Sequence, residues 1–104
     1  MISSEDHVVK VVNSKGYCGF ETDKLQTKRG DNVTFVNATG KPISLIFMAP
    51  DFFEAMYLNL APEQDHTLAV SMEGTSTSCE CTVICNTAAT VEFYATKPVI
   101  IIYR

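Results

Sequence analysis

Lys24-Leu-Gln-Thr-Lys-Arg-Gly-Asp-Asn-Val-Thr-Phe-Val-Asn37 reads as two strands about one turn. Residues 24–28 alternate and stop at Arg29-Gly30-Asp31, a turn signal. Residues 32–37 alternate again, which puts Val33 and Phe35 on one face of a strand. The same pattern spreads outward in both directions. Residues 8–12 predict a short strand ended by Asn13-Ser-Lys-Gly16, and residues 16–20 read as loop. Asn37-Ala-Thr-Gly-Lys-Pro42 is a break. Residues 43–48 form a near-continuous apolar run, as in a strand covered on both faces. Residues 50–58 hold the one helical spacing, yet they are few and aromatic and read as loop plus strand. Residues 66–72 alternate with Leu68, Val70 and Met72 on one face, and residues 90–95 and 99–103 are the last strands. The 99–103 strand is expected to be interior, because a bare apolar strand invites edge-to-edge pairing. Short strands separated by Gly, Pro and Asn predict an all-β antiparallel sandwich or barrel.

Chemistry concentrates in Cys79-Glu-Cys-Thr-Val-Ile-Cys85, which holds three of the four cysteines. On a strand, Cys79, Cys81, Val83 and Cys85 share a face while Glu80, Thr82 and Ile84 point the other way. Such a row can hold a soft metal, form a disulfide or fill core. Cys79–Cys81 is the poorest disulfide pair, since next-but-one residues on a strand approach or exceed the usual limit of about 6.8 Å. A Cys81–Cys85 bond needs a loop that doubles back after Ile84.

The 104 residues suffice for one domain, 1–104, with its own core. A net charge of −4 with scattered Lys and Arg leaves no basic stripe to follow phosphates, which argues against nucleic-acid binding. The run at 98–103 is far shorter than a bilayer span, so no membrane span is expected. Met1-Ile-Ser-Ser-Glu-Asp6 does not read as a signal peptide, so the expectation for compartment rests on cysteine usage. An even count suits disulfides outside the cytosol or a thiolate metal site.

The order of phrases from Leu25 to Asn37, then Gly40-Lys-Pro42 and a buried strand, then Leu60-Ala-Pro-Glu63, resembles a cupredoxin over nearly the whole chain. The resemblance implies a cupredoxin-like Greek-key β-sandwich with copper held between loops at one end. Cys81-Thr-Val-Ile-Cys85 resembles the Cys-x3-Cys of the dinuclear CuA domain of cytochrome oxidase subunit two and nitrous oxide reductase. In a second register, residues 90–95 resemble the mononuclear strand that ends in the copper cysteine, which requires an insertion and puts Ala95 at the thiolate position. The first register is preferred because it needs no insertion. In either, the family's first histidine falls on Ile43; the second CuA histidine falls near Ala89, and no Met follows Cys85. His7 and His66 match neither position, so a blue or CuA centre is not expected to form.

The metal reading names Cys81 and Cys85, with Cys79 as a third thiolate and Cys18 closing from a loop, for copper in electron transfer or copper handling. Its partner would be a redox or copper-donor protein, and its location periplasmic, cell-envelope or secreted. The alternative is a metal-free structural or partner-binding module whose site is filled by apolar residues such as Ile43 and Ala89. Met48, Met56 and Met72 read as gap-filling core rather than thioether ligands. His66 reads as a surface residue, and Glu5-Asp6-His7 as a frayed terminus rather than a chelating group. Asn32-Val-Thr34 and Asn37-Ala-Thr39 match the glycosylation sequon. No acid–base pair or nucleophile elbow supports an enzyme.

Overall fold

The computed structural model describes residues 4–14, 16–85 and 89–96; the strand expected at 99–103 lies outside them. Its elements are β1 (Asp6–Ser14), β2 (Tyr17–Phe20), β3 (Lys24–Lys28), β4 (Asn32–Ala38), β5 (Ile43–Phe47), α1 (Pro50–Phe53), β6 (Tyr57–Leu60), β7 (Asp65–Ala69), β8 (Ser78–Ile84) and β9 (Ala89–Thr96). One sheet runs β2-β1-β4-β7 and the other β3-β9-β8-β5-β6. The chain crosses repeatedly between layers, and two ladders are therefore parallel, β1 with β4 and β3 with β9. The rest are antiparallel. This is an all-β, cupredoxin-like Greek-key sandwich.

Alternation decides what lies between the sheets. Val9, Val11, Val33, Phe35, Leu45, Phe47, Cys81, Val83, Val91 and Phe93 all point inward and are buried. Phe35 is the hub of an aromatic core, with edge-on rings of Phe47, Phe53 and Phe93 at 5.6, 5.7 and 5.8 Å. Edge-to-face contact at this range sets the positive rim of one ring against the negative face of another.

Several segments depart from the sequence reading. Residues 17–20 are strand, not loop: Gly16 takes φ 84 in the turn and leads Tyr17–Phe20 back onto β1. β5 is covered on one face, since Ser44 and Ile46 are only half-buried. The aromatic stretch makes one helical turn at Pro50–Phe53, started by proline and closed by Glu54 at φ 56, and it seats Phe52 and Phe53 in the core. β7 stops at Ala69, so Val70 is buried while Met72 turns outward. Met48, Met56 and Met72 are 64%, 66% and 52% exposed, and the expectation that they fill core is corrected.

One end of the sandwich is closed by Asp31. Its carboxylate accepts from the amides of Glu5 at 2.9 Å and Lys28 at 2.8 Å, and it bonds His7 Nε2 at 2.9 Å. Burial works to raise the acid's pKa, yet the hydrogen bonds from His7 and from the Lys28 and Glu5 amides outweigh it and hold Asp31 below its ordinary range. Residues 5–7 are thus pinned and not frayed. At the same end, Asp51 accepts from the amides and hydroxyls of Thr75 and Ser76, and these bonds hold its carboxyl far below the usual range. Gly74 lies against the Asp51 backbone where a Cβ would collide.

Candidate functional site

The opposite end gathers the residues the sequence singled out. The β1–β2 hairpin sets Cys18 opposite Asn13, buried and facing the second sheet. β8 ends at Ile84, and Cys85 follows it directly. Cys18 and Cys85 form a disulfide, with Cα atoms 6.5 Å apart and 67 residues of sequence separation, which joins the two sheets. Ser44 pairs with Ile84, so Ile43 stands one step further along, beside Cys85. Ile43 also pairs with Leu60, and both are buried. Ala89 pairs with Val83 across the β8–β9 ladder and packs against the backbone of Gly19.

Asn37 holds the neighbouring loops. Fully buried, its amide donates to the carbonyls of Lys41, Leu60 and Ala61 at 2.7, 3.1 and 3.0 Å. Its carbonyl oxygen accepts from the Thr39 amide at 3.0 Å and the Thr39 hydroxyl at 2.6 Å. Beside this knot lies an open groove of about 530 Å³, walled by Pro42, Ile43, Leu60, Ala61, Gln64 and Ile84 among others.

Cys79 and Cys81 are placed elsewhere. Both are free, buried and inward-facing, in the aromatic core: Cys79 pairs with Phe93, and Cys81 with Phe47 and Val91. Burial pushes the Cys81 thiol far up, and the neighbouring Cys79 adds to it. Burial also raises Cys79, against the opposing pull of its contacts with the Ala49 and Met48 backbone. A neutral thiol is neither a nucleophile nor a metal ligand.

The donor set can now be tested against copper. Cys81 to Cys85 is not a loop, because β8 is extended through Ile84; at about 3.3 Å per residue the two Cα atoms are ~13 Å apart. Two thiolates at that separation cannot share one ion, so the CuA-like spacing does not form a CuA-like geometry. Ala95 of the second register pairs with Thr27 at the far end of the sheet from Ile43. His66 is exposed on edge strand β7 and His7 is held by Asp31. A disulfide beside alkyl side chains does not fit a His2Cys or bridged-thiolate centre. Among the described residues, the group whose ligand atoms converge is Glu5, His7 and Asp31, within 4.8 Å. Its carboxylate, as described above, already serves the start of β1.

Sequence reasoning missed Asn37 as a structural hub. The signal was there: it continues the inward parity of Val33 and Phe35, and an inward amide ahead of a Gly-Pro loop must find partners.

This architecture defines a cupredoxin-like domain, and solved structures agree. An oxidised amicyanin variant superposes with a TM-score of 0.66 at 21% identity, over 88% of this chain and 82% of that one. A reduced amicyanin variant gives 0.64 and a Cu(I) variant 0.60, each at 22% identity over 88% of this chain and 82% of that one. The likeness is one of fold. No protein-family model matches the chain, and no curated protein matches its sequence.

Proposed function

We propose that this domain is a metal-free, disulfide-locked cupredoxin-like module that acts by binding a partner. The Cys18–Cys85 disulfide carries the reading: it takes up the two cysteines at the end where Ile43 and Ala89 stand on either side of β8. The remaining thiols lie in the aromatic core, held neutral by burial. An open groove beside that end supplies a place for a partner. A disulfide of this kind persists in oxidising surroundings and supports a periplasmic, cell-envelope or secreted location. No helix of the described residues is long and apolar enough to cross a membrane.

The test combines elemental analysis with thiol counting on natively purified protein. The expected result is no stoichiometric copper and two thiols that react only after unfolding, rising to four after reduction. Four thiols in the native, unreduced protein would overturn the reading.

The amicyanin likeness favours a second reading, in which the reduced protein handles copper and passes it, or an electron, to a redox or copper-donor partner. Cys18 and Cys85 would be the thiolates, since Cu(I) accepts two soft ligands without histidine. Cys79 and Cys81 would contribute only if β8 opened. Stoichiometric Cu(I) uptake by reduced protein, abolished by Cys85→Ser, would establish this second reading. Absence of uptake would eliminate it.

A further inference from the structure

We propose that the Cys18–Cys85 disulfide is a thiol-exchange site, entered at Cys85 by a partner protein that carries a pair of thiols among apolar residues and seats them in the loop-end groove. This rests on the partner-binding reading and gives the partner its chemistry.

The two sulfurs differ in access. Cys18 is 4% exposed and faces inward from the four-stranded sheet, whereas Cys85 follows the last residue of β8 and is only partly buried. A thiolate bonds to one sulfur of a disulfide as the other departs, so access decides which sulfur is attacked. The attack runs along the line of the bond and reaches Cys85 from the side away from Cys18. Because Cys18 belongs to β2, that side is the five-stranded sheet's. The groove lies there, walled by residues of β5, β6 and β8 and the loops beside them. Ile84, 53% exposed, is a groove wall and the residue next to Cys85 in the chain. Cys79 and Cys81 take no part, since both are buried in the aromatic core and Cys81 is ~13 Å along β8 from Cys85.

The lining selects the thiol. Pro42, Ile43, Leu60, Ala61 and Ile84 are apolar, and among the described residues no charged side chain lines the groove. A small charged thiol finds no ion partner there, whereas the apolar neighbours of a protein thiol gain burial. Asn59 and Gln64 suit a peptide backbone. Their carboxamide oxygens accept from the Ser44 hydroxyl at 2.7 Å and the Ala61 amide at 2.8 Å, which leaves their NH2 groups to donate to a partner's carbonyls.

The exchange proceeds in two displacements. The partner's thiolate bonds to Cys85 Sγ, the Cys18–Cys85 bond breaks, and Cys18 leaves with the electron pair and takes up the proton that the partner thiol gave up. The partner's second thiolate then attacks its own sulfur in the mixed disulfide, and Cys85 leaves and is protonated in turn. The partner ends as a disulfide, oxidised by two electrons, and the domain ends with Cys18 and Cys85 as thiols.

The probes are synthetic peptides with one cysteine, flanked by leucine in one and by serine in the other, with glutathione as the small charged thiol. Each is added to the oxidised full chain in native buffer, and the adduct is located by peptide mass mapping. The expected product is a mixed disulfide on Cys85 with Cys18 as a free thiol. The leucine peptide should form it at least about tenfold faster than the serine peptide or glutathione. Ile84→Ser, at an exposed position, should remove most of that advantage while the β spectrum is retained. A leucine-flanked peptide with two cysteines should raise the native thiol count from two to four. An adduct on Cys18, equal rates for the leucine and serine peptides, or a rate no faster than global unfolding would overturn the proposal. So would glutathione matching the leucine peptide. The disulfide-locked reading is judged first, by the thiol count before any peptide is added. Two native thiols without exchange overturn this proposal alone, and four overturn both.

Discussion

Asn37 and Asp31 do comparable jobs at opposite ends of the sandwich, and each holds two or more chain segments through one side chain. Replacing Asn37 with alanine strands the buried amide and carbonyls it serves, each costing a desolvation penalty once its partner is gone. We expect Asn37→Ala to lower unfolding stability by about 2–4 kcal/mol, read as a lower denaturant midpoint at unchanged slope. Asp31 predicts an acid limb. Its folded pKa lies below the ordinary 3.8, so the unfolded chain takes up the proton first. The contribution is fully present above pH 3.8 and fades as pH falls through the lower folded value. The stability gap between the wild type and Asp31→Asn should accordingly narrow on acidification below about pH 4. A gap independent of pH would show that the ionised carboxylate is not what matters.

Strand β8 carries two kinds of cysteine because its inward face crosses two environments. Cys79 and Cys81 meet Phe93, Phe47 and Val91, whereas Cys85, past the last paired residue, meets the hairpin bearing Cys18. Thiol reagents should therefore modify Cys81 at the global unfolding rate, with no fast phase in native buffer. The aromatic hub has its own test. Phe35→Ala empties the space shared by Phe47, Phe53 and Phe93 and should cost about 3–5 kcal/mol, measured by equilibrium denaturation. Phe35→Leu keeps most of the volume and should cost clearly less.

At the scale of the whole molecule, the disulfide closes a 67-residue separation and is the covalent tie between the sheets. Chain-entropy arguments put its contribution at about 4 kcal/mol, mainly by restricting the unfolded chain. Reduction, or Cys18→Ser, should lower the melting temperature while the far-UV spectrum stays β-dominated. A melting temperature indifferent to reductant would mean that the bond is absent or that the reduced chain is equally constrained.

The all-β class was legible in local chemistry, because period-two alternation and Gly, Pro and Asn breaks act within a few residues. The phrase from Leu25 to Asn37 likewise pointed to a cupredoxin-like sandwich, and the inward set Val33, Phe35, Cys79, Cys81 and Val83 follows from parity alone. What parity cannot supply is which sheet a strand joins and which loop meets which. Cys85 is four residues from Cys81 in sequence, but its partner is Cys18, brought by a hairpin from the other sheet. Met48, Met56 and Met72 look like core by composition and are surface by position, where strands end and the chain turns outward. Asn37 resembled a sequon until the fold buried it against Leu60 and Ala61. Local pattern determines the direction of a side chain, whereas contacts between segments remote in sequence decide what it meets, and the disulfide and the groove both arise from contacts of that second kind.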